Sequence, residues 1–239
     1  MSYRLHRKYL RGALMAAAAS LFIVNGAMAE VVKGTSDPWL SGLPDGATAS
    51  LGDQAPAQSP MPVTSVDVSS ASSLLFSAAG SVSYGPAYAP TGPDGGLFFQ
   101  AHRTGAENGI AAFNAPINSL VGVFLTDDSP LSSVIPVGLD FAVIGLDFDV
   151  LAPVLMQPFF IGDGLTGSGG GDVQQFLVPA GATRLYLGVT DGFGWYNNIG
   201  AFDVTITAMA VGSGSVPEPG SLMLLAVGLS ALLGRRYSR

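Results

Sequence analysis

The chain has 239 residues, seventeen of them acidic, ten basic and none cysteine, so it must hold itself together with a core, metal ions or both rather than with disulfides. Seven of the ten basic residues fall within the first eleven or last five positions, leaving Lys33, Arg103 and Arg184 against sixteen acidic residues, a net charge of −13 for the middle. That field repels nucleic acid and anionic lipid, and either attracts divalent cations or serves solubility alone.

Residues 1–29 read as a secretory signal helix. Arg4, Arg7, Lys8 and Arg11 precede an apolar run from Gly12 to Val24, and Ala27-Met28-Ala29 supplies the small residues of a cleavage site before Glu30. The run is short for a membrane span. Residues 30–67 are rich in Pro, Gly, Ser and Ala and are expected as a loosely packed lead-in, with Val31, Val32, Trp39 and Leu40 able to dock on a sheet.

Residues 68–211 are expected to form one all-β sandwich, because charges are few and short apolar runs alternate with Gly-rich turns. Ser72–Pro86 suits a strand ending at a turn, and Gly85–Gly96 is a Pro/Gly loop. Ser119–Thr126 is a strong strand closed by Asp127 and Asp128. Residues 130–158 hold apolar material for an inserted hairpin or a covering loop. Four more strands are expected in PFFIGDG, DVQQFLVP, TRLYLGVTD and GAFDVTITAMAV, and in the third Leu185, Leu187 and Val189 share one face.

After a linker at 212–215, residues 216–239 carry Val216-Pro217-Glu218-Pro219, an apolar segment from Leu222 to Leu233 and a basic Arg235-Arg236 end. This resembles the PEP-CTERM sorting signal. The resemblance implies a Gram-negative exported protein whose Pro217-Glu218-Pro219 motif is recognised by an exosortase. It also implies a short hydrophobic helix that anchors the chain in the inner membrane transiently before removal. The short apolar segment and basic end agree with such an anchor.

The stretch Thr190 to Phe202 places Asp191, a glycine turn and the pair Asn197-Asn198 on one loop, a set of hard oxygens suited to calcium or, equally, an Asx-rich turn without metal. Together with SAAGSVSYGP it resembles the calcium-dependent galactophilic lectins. That resemblance implies a jelly-roll or galactose-binding-like sandwich. It implies a Ca2+ held by the Tyr84 carbonyl, Asp191, the carbonyl near Trp195, and Asn197 and Asn198. It also implies a sugar contacting Pro93, Asp94, Asp191, Trp195, Asn197 and Asn198. The sequence departs from that pattern in a loop one residue shorter, and in Gly92 and Gly95 where the family has its sugar-contacting His and Gln. Trp195 then reads either as a packing plug or, with Tyr196 and Phe193, as a stacking face.

Catalysis has little to work with. His102 is the single histidine after the signal segment and reads as a loop residue, no Cys exists, and G-x-S-x-G is absent. Gly162–Gly167 fits a nucleotide-binding glycine pattern without a helix after it. The expectation is a non-enzymatic surface or matrix protein, met by signal peptidase and exosortase during export, that binds extracellular polysaccharide with calcium in a biofilm. The alternative is a structural biofilm protein whose calcium, if bound, only rigidifies a loop.

Overall fold

The computed structural model describes residues 28–44, 46–49 and 60–210. Among them the strands are β1 (Met28–Lys33), β2 (Met61–Pro62), β3 (Ala71–Ser83), β4 (Phe99–Ala101) and β5 (Phe113–Pro116). They continue with β6 (Leu120–Leu125), β7 (Leu139–Asp140), β8 (Val150–Leu151), β9 (Phe159–Phe160) and β10 (Leu165–Gly167). The last are β11 (Gly170–Val173), β12 (Gln175–Leu177), β13 (Arg184–Val189) and β14 (Ile199–Ala210). One α-helical turn, α1 (Phe141–Ile144), accompanies them. The chain is thus all-β in class. The main sheet runs β1-β14-β3-β12-β8 and the second β2-β13-β6-β9, with smaller sheets β4-β5-β7 and β10-β11.

The two larger sheets share one apolar core. Leu74 and Phe76 of β3, Phe202, Val204 and Ile206 of β14, and Leu185, Leu187 and Val189 of β13 all enter it, the period-2 burial that places alternate side chains on one face. β6 is buried along its whole length. Its Leu120 and Phe124 face this core, while Val121, Val123 and Leu125 face a second one built on Trp39, Phe113, Phe141 and Trp195. A strand covered on both sides needs a continuous apolar run, which is what Leu120–Leu125 supplies.

Residues 130–158 cover that second core. Phe141 packs against Phe113 and Phe160 with ring centroids 5.7 Å apart in each case. Gln174 Nε2 ties the segment down by donating to Leu146 O (2.7 Å) and Phe148 O (3.0 Å). Its short strands pair in parallel, β7 with β5 and β8 with β12, rather than as a hairpin.

The lead-in is less loose than its composition suggests. Met28 and Ala29, at the expected cleavage site, lie in β1 opposite Ile206 and Thr205 of β14. Glu30 Oε1 accepts from Thr64 N and Ser65 N, both at 2.9 Å, and Val32, Trp39 and Leu40 are buried. Burying those three apolar side chains offsets the ordering cost that Pro and Gly composition alone does not reveal. The remainder of the expected signal helix, including Ala27, the linker, the C-terminal hydrophobic helix and Pro217-Glu218-Pro219 lie outside the described residues. Among the described residues no helix is long and apolar enough to cross a membrane.

The β3–β14 ladder is continuous from Ser83↔Ile199 to Thr207↔Leu75 and beyond. It includes a close approach at Gly200, φ 88°, where a β-carbon would lie 2.1 Å from Ser81 O. Gly200→Ala should therefore cost roughly 1–3 kcal/mol, combining left-handed strain with backbone overlap. Gly145→Ala, also at positive φ but with open space around it, should cost only about 1 kcal/mol. Urea melts of the two variants check this, and equal losses would show that the overlap relaxes freely.

Candidate binding site

The β3–β14 register delivers Tyr84 to the loop that β14 follows. Ser83 faces Ile199, and the Asn197 side-chain oxygen approaches Gly85. The Ser83 hydroxyl, buried, donates toward Gly85 O (2.7 Å) and Tyr88 O (2.9 Å), which fixes the turn after β3. The two halves of the sequence pattern, Tyr84 and Asn197-Asn198, are thus brought together.

Asp191, at the end of β13, is 6% exposed. Its Oδ1 accepts from Gly192 N (2.6 Å) and Phe193 N (3.3 Å), an Asx turn. Gly194, φ 90°, opens a single 3-10 turn from Trp195 to Asn197. That turn makes the Trp195 carbonyl accept from Asn198 N at 3.0 Å. Asn198 is 5% exposed; its Nδ2 donates to Gly34 O at 3.0 Å, and its Oδ1 is buried with no hydrogen-bond partner. Asn197 is exposed.

Of the two readings of Trp195, its burial agrees with the packing plug and not with the stacking face. Its ring is fully buried, donates Nε1–H to Val189 O at 2.8 Å, and lies 5.7 Å from Trp39. An enclosed indole offers no face to a sugar, so Trp195 leaves the set of stacking residues; the physical reason is the apolar second core directly beneath the loop. Phe193 and Tyr196 of the same loop do face solvent.

His102 lies in the loop after β4, as expected, but not at its surface. It is buried, stacked on Trp39 at 3.9 Å, with Nε2 3.5 Å from Glu107 Oε2 and Nδ1 2.9 Å from Gly105 O. It serves packing under the loop.

Pro93 and Asp94 sit on a neighbouring turn. Pro93 O accepts from Leu120 N (2.9 Å), and Asp94 Oδ1 accepts from Asp163 N (2.9 Å). Asp94 is thereby directed at the turn before β10, where the Gly162–Gly167 pattern leads into the β10-β11 pair rather than a helix. Burial pushes the Asp94 carboxyl above its ordinary pKa; the Asp163 N–H opposes this and the Asp163 carboxylate adds to it.

Sequence reasoning named Phe193 and Tyr196 but missed the exposed Tyr88 and Phe98. Tyr84 stacks on Tyr88 at 4.2 Å and meets Phe98 edge-on at 5.9 Å. Gln100 of β4 lies closely over Gly192, and the Arg103 guanidinium sits 4.6 Å from the Phe193 ring centre. Tyr88, Phe98 and Tyr196 are each about half exposed. Aromatics inside a Pro/Gly loop were the available signal, since such a loop leaves little room to bury them. Among the described residues no three His, Cys, Asp or Glu side chains gather as a metal group, so an ion here would depend on amide and carbonyl oxygens as well as carboxylate.

Residues 215–239 match the family model described as the PEP-CTERM protein-sorting motif. The chain therefore carries the mark of an exosortase-targeted, exported protein of the Gram-negative cell envelope. No curated protein and no solved structure matches the chain.

The raised Asp94 pKa has a signed consequence. The fold favours the protonated form, so the stability Asp94 contributes is present below the ordinary carboxylate pKa and is lost as pH rises through the raised value. Asp94→Asn, whose amide oxygen can still accept from Asp163 N, should melt higher than the unmodified protein at neutral pH and level with it near pH 3. A lower melting temperature for the variant at neutral pH would mean that hydrogen bonding to the charged form outweighs its burial.

Proposed function

We propose that this exported protein is a non-catalytic carbohydrate-binding module of jelly-roll or galactose-binding-like type, whose Asp191–Asn198 loop is organised by calcium and whose exposed rings meet extracellular polysaccharide. The observation that carries the reading is the exposure of Tyr88, Phe98 and Tyr196, the first two packed on Tyr84 and the third on the loop whose Asn197 side chain approaches Gly85. Flat rings beside amide groups suit a polyhydroxylated ligand, the rings covering its C–H faces and the amides both donating and accepting. The acidic charge of the middle region disfavours anionic polymers and points to a neutral one.

The residues fit calcium on one observation: the buried Asn198 Oδ1 has no partner, and a hard cation is an acceptable one. Asp191, Asn198, Asn197 and the carbonyls of Tyr84 and Trp195 would hold it. The ion would supply fixed positive charge that stiffens the loop carrying Phe193 and Tyr196. Because Asp191 and Asn198 are already buried, the sugar is met chiefly by the rings. The structural reading, in which calcium only rigidifies the loop and no glycan binds, is favoured by Gly92 and Gly95 standing where the lectins have His and Gln.

Retention on neutral exopolysaccharide, measured with calcium and with chelator, separates the two. Tyr88→Ala and Tyr196→Ala should each weaken retention roughly threefold to tenfold, the worth of one stacking ring, with little change in melting temperature. Unchanged retention in both variants, or none by the unmodified protein, would leave the structural reading.

A further inference from the structure

Two stretches far apart in sequence lie along each other at the base of the loop. Ser36 O accepts from Val189 N at 2.9 Å, Gly34 O accepts from Asn198 Nδ2 at 3.0 Å, and the Trp39 and Trp195 rings are 5.7 Å apart. Asp37 falls between Ser36 and Trp39 on one stretch, and Asp191 between Val189 and Trp195 on the other. The contacts on either side of the two residues thus run along one another, and both residues are buried, Asp37 with no exposure at all.

Asp37 Oδ1 accepts from Trp39 N at 2.9 Å and caps the 3-10 turn from Pro38 to Leu40. A cap needs only a neutral oxygen, which Asn or Ser supplies as well. Asn198 gives an independent indication of a ligand. Its Nδ2 is committed to Gly34 O, so Oδ1, the other arm of the same amide, is held where the two stretches meet, buried and without a hydrogen-bond partner. Buried oxygens of this kind are rare in folded proteins because desolvation is not repaid.

We infer that Asp37 is a second carboxylate of the cation site and that Gly34–Asp37 closes the site from the N-terminal side; this rests on the reading of the Asp191–Asn198 loop as a calcium site. Two carboxylates with amide and carbonyl oxygens form a hard-cation set of the kind calcium prefers. The ion then joins β1 and its following turn to the ligand-bearing loop, and it is enclosed by protein rather than shared with sugar.

Calorimetric titration of calcium into the chelator-treated exported protein and its Asp37→Asn and Asp191→Asn variants tests this. Asn preserves the cap, so the metal-free melting temperature should hold while Asp37→Asn binds calcium about tenfold more weakly or worse. Unaltered affinity in Asp37→Asn, with none in Asp191→Asn, overturns the inference and leaves the loop site standing. Absence of calcium binding by the unmodified protein overturns both. Should Asp37→Asn fail to fold, tryptic cleavage after Lys33 in the unmodified protein decides instead: calcium should slow it severalfold, and equal rates with calcium and with chelator overturn the inference.

Discussion

The antiparallel pairing of β3 with β14 is the constraint from which the rest of the molecule follows. Residues 83 and 199, more than a hundred positions apart, are opposed, so whatever follows β3 must meet whatever precedes β14. That meeting puts the Tyr84–Tyr88 turn beside Asn197 and Asn198. The ladder also fixes the two partners it recruits, β1 along β14 and β12 along β3. Backbone hydrogen bonding here does more than stabilise a sheet; it specifies which loops share a corner.

The second sheet supplies the other half of that corner. β13 pairs with β6 over six residues, Arg184↔Leu125 to Val189↔Leu120, and releases the chain at Thr190, whose hydroxyl is 2.8 Å from that of Ser119. Beyond it, loop residues divide by direction. Asp191, Trp195 and Asn198 point inward and are buried; Phe193, Tyr196 and Asn197 are exposed. Burial and exposure are thus assigned to different side chains of a single loop.

Sequence patterns revealed the long strands and little of the short ones. β3, β6, β13 and β14 carry apolar runs or alternation over six or more residues, enough for a period to declare itself. β2, β7 and β8 are two residues each, and two residues have no period, whereas the equally short β9 was expected from the apolar run in PFFIGDG. β1 was hidden for another reason, because Met28 and Ala29 satisfy the requirements of a cleavage site and of an edge strand together. At the site, the residue types on the loop were legible but their direction was not. The burial of Trp195 depends on Trp39 and Val189, and the approach of Gly34 depends on Asn198; both are contacts between distant segments that no local window contains. Exposed Tyr88 and Phe98 were obscured in the same way, since a ring in a Pro/Gly loop reads as anchor or platform until its neighbours are known.

The position of the sorting motif gives this division of the loop a spatial meaning. The described chain ends at Ala210, opposite Ala71, while the ring-bearing corner lies at the other end of the ladder, where Ile199 meets Ser83. Eleven residue steps of extended strand separate these ends by roughly 35 Å. The aromatic corner therefore lies at the end of the ladder remote from Ala210, the last described residue before the sorting motif. The exposed rings and the described end of the chain thus leave the β3–β14 ladder at opposite ends, because the antiparallel register that gathers the loops at Ser83 and Ile199 carries Ala210 to the far end.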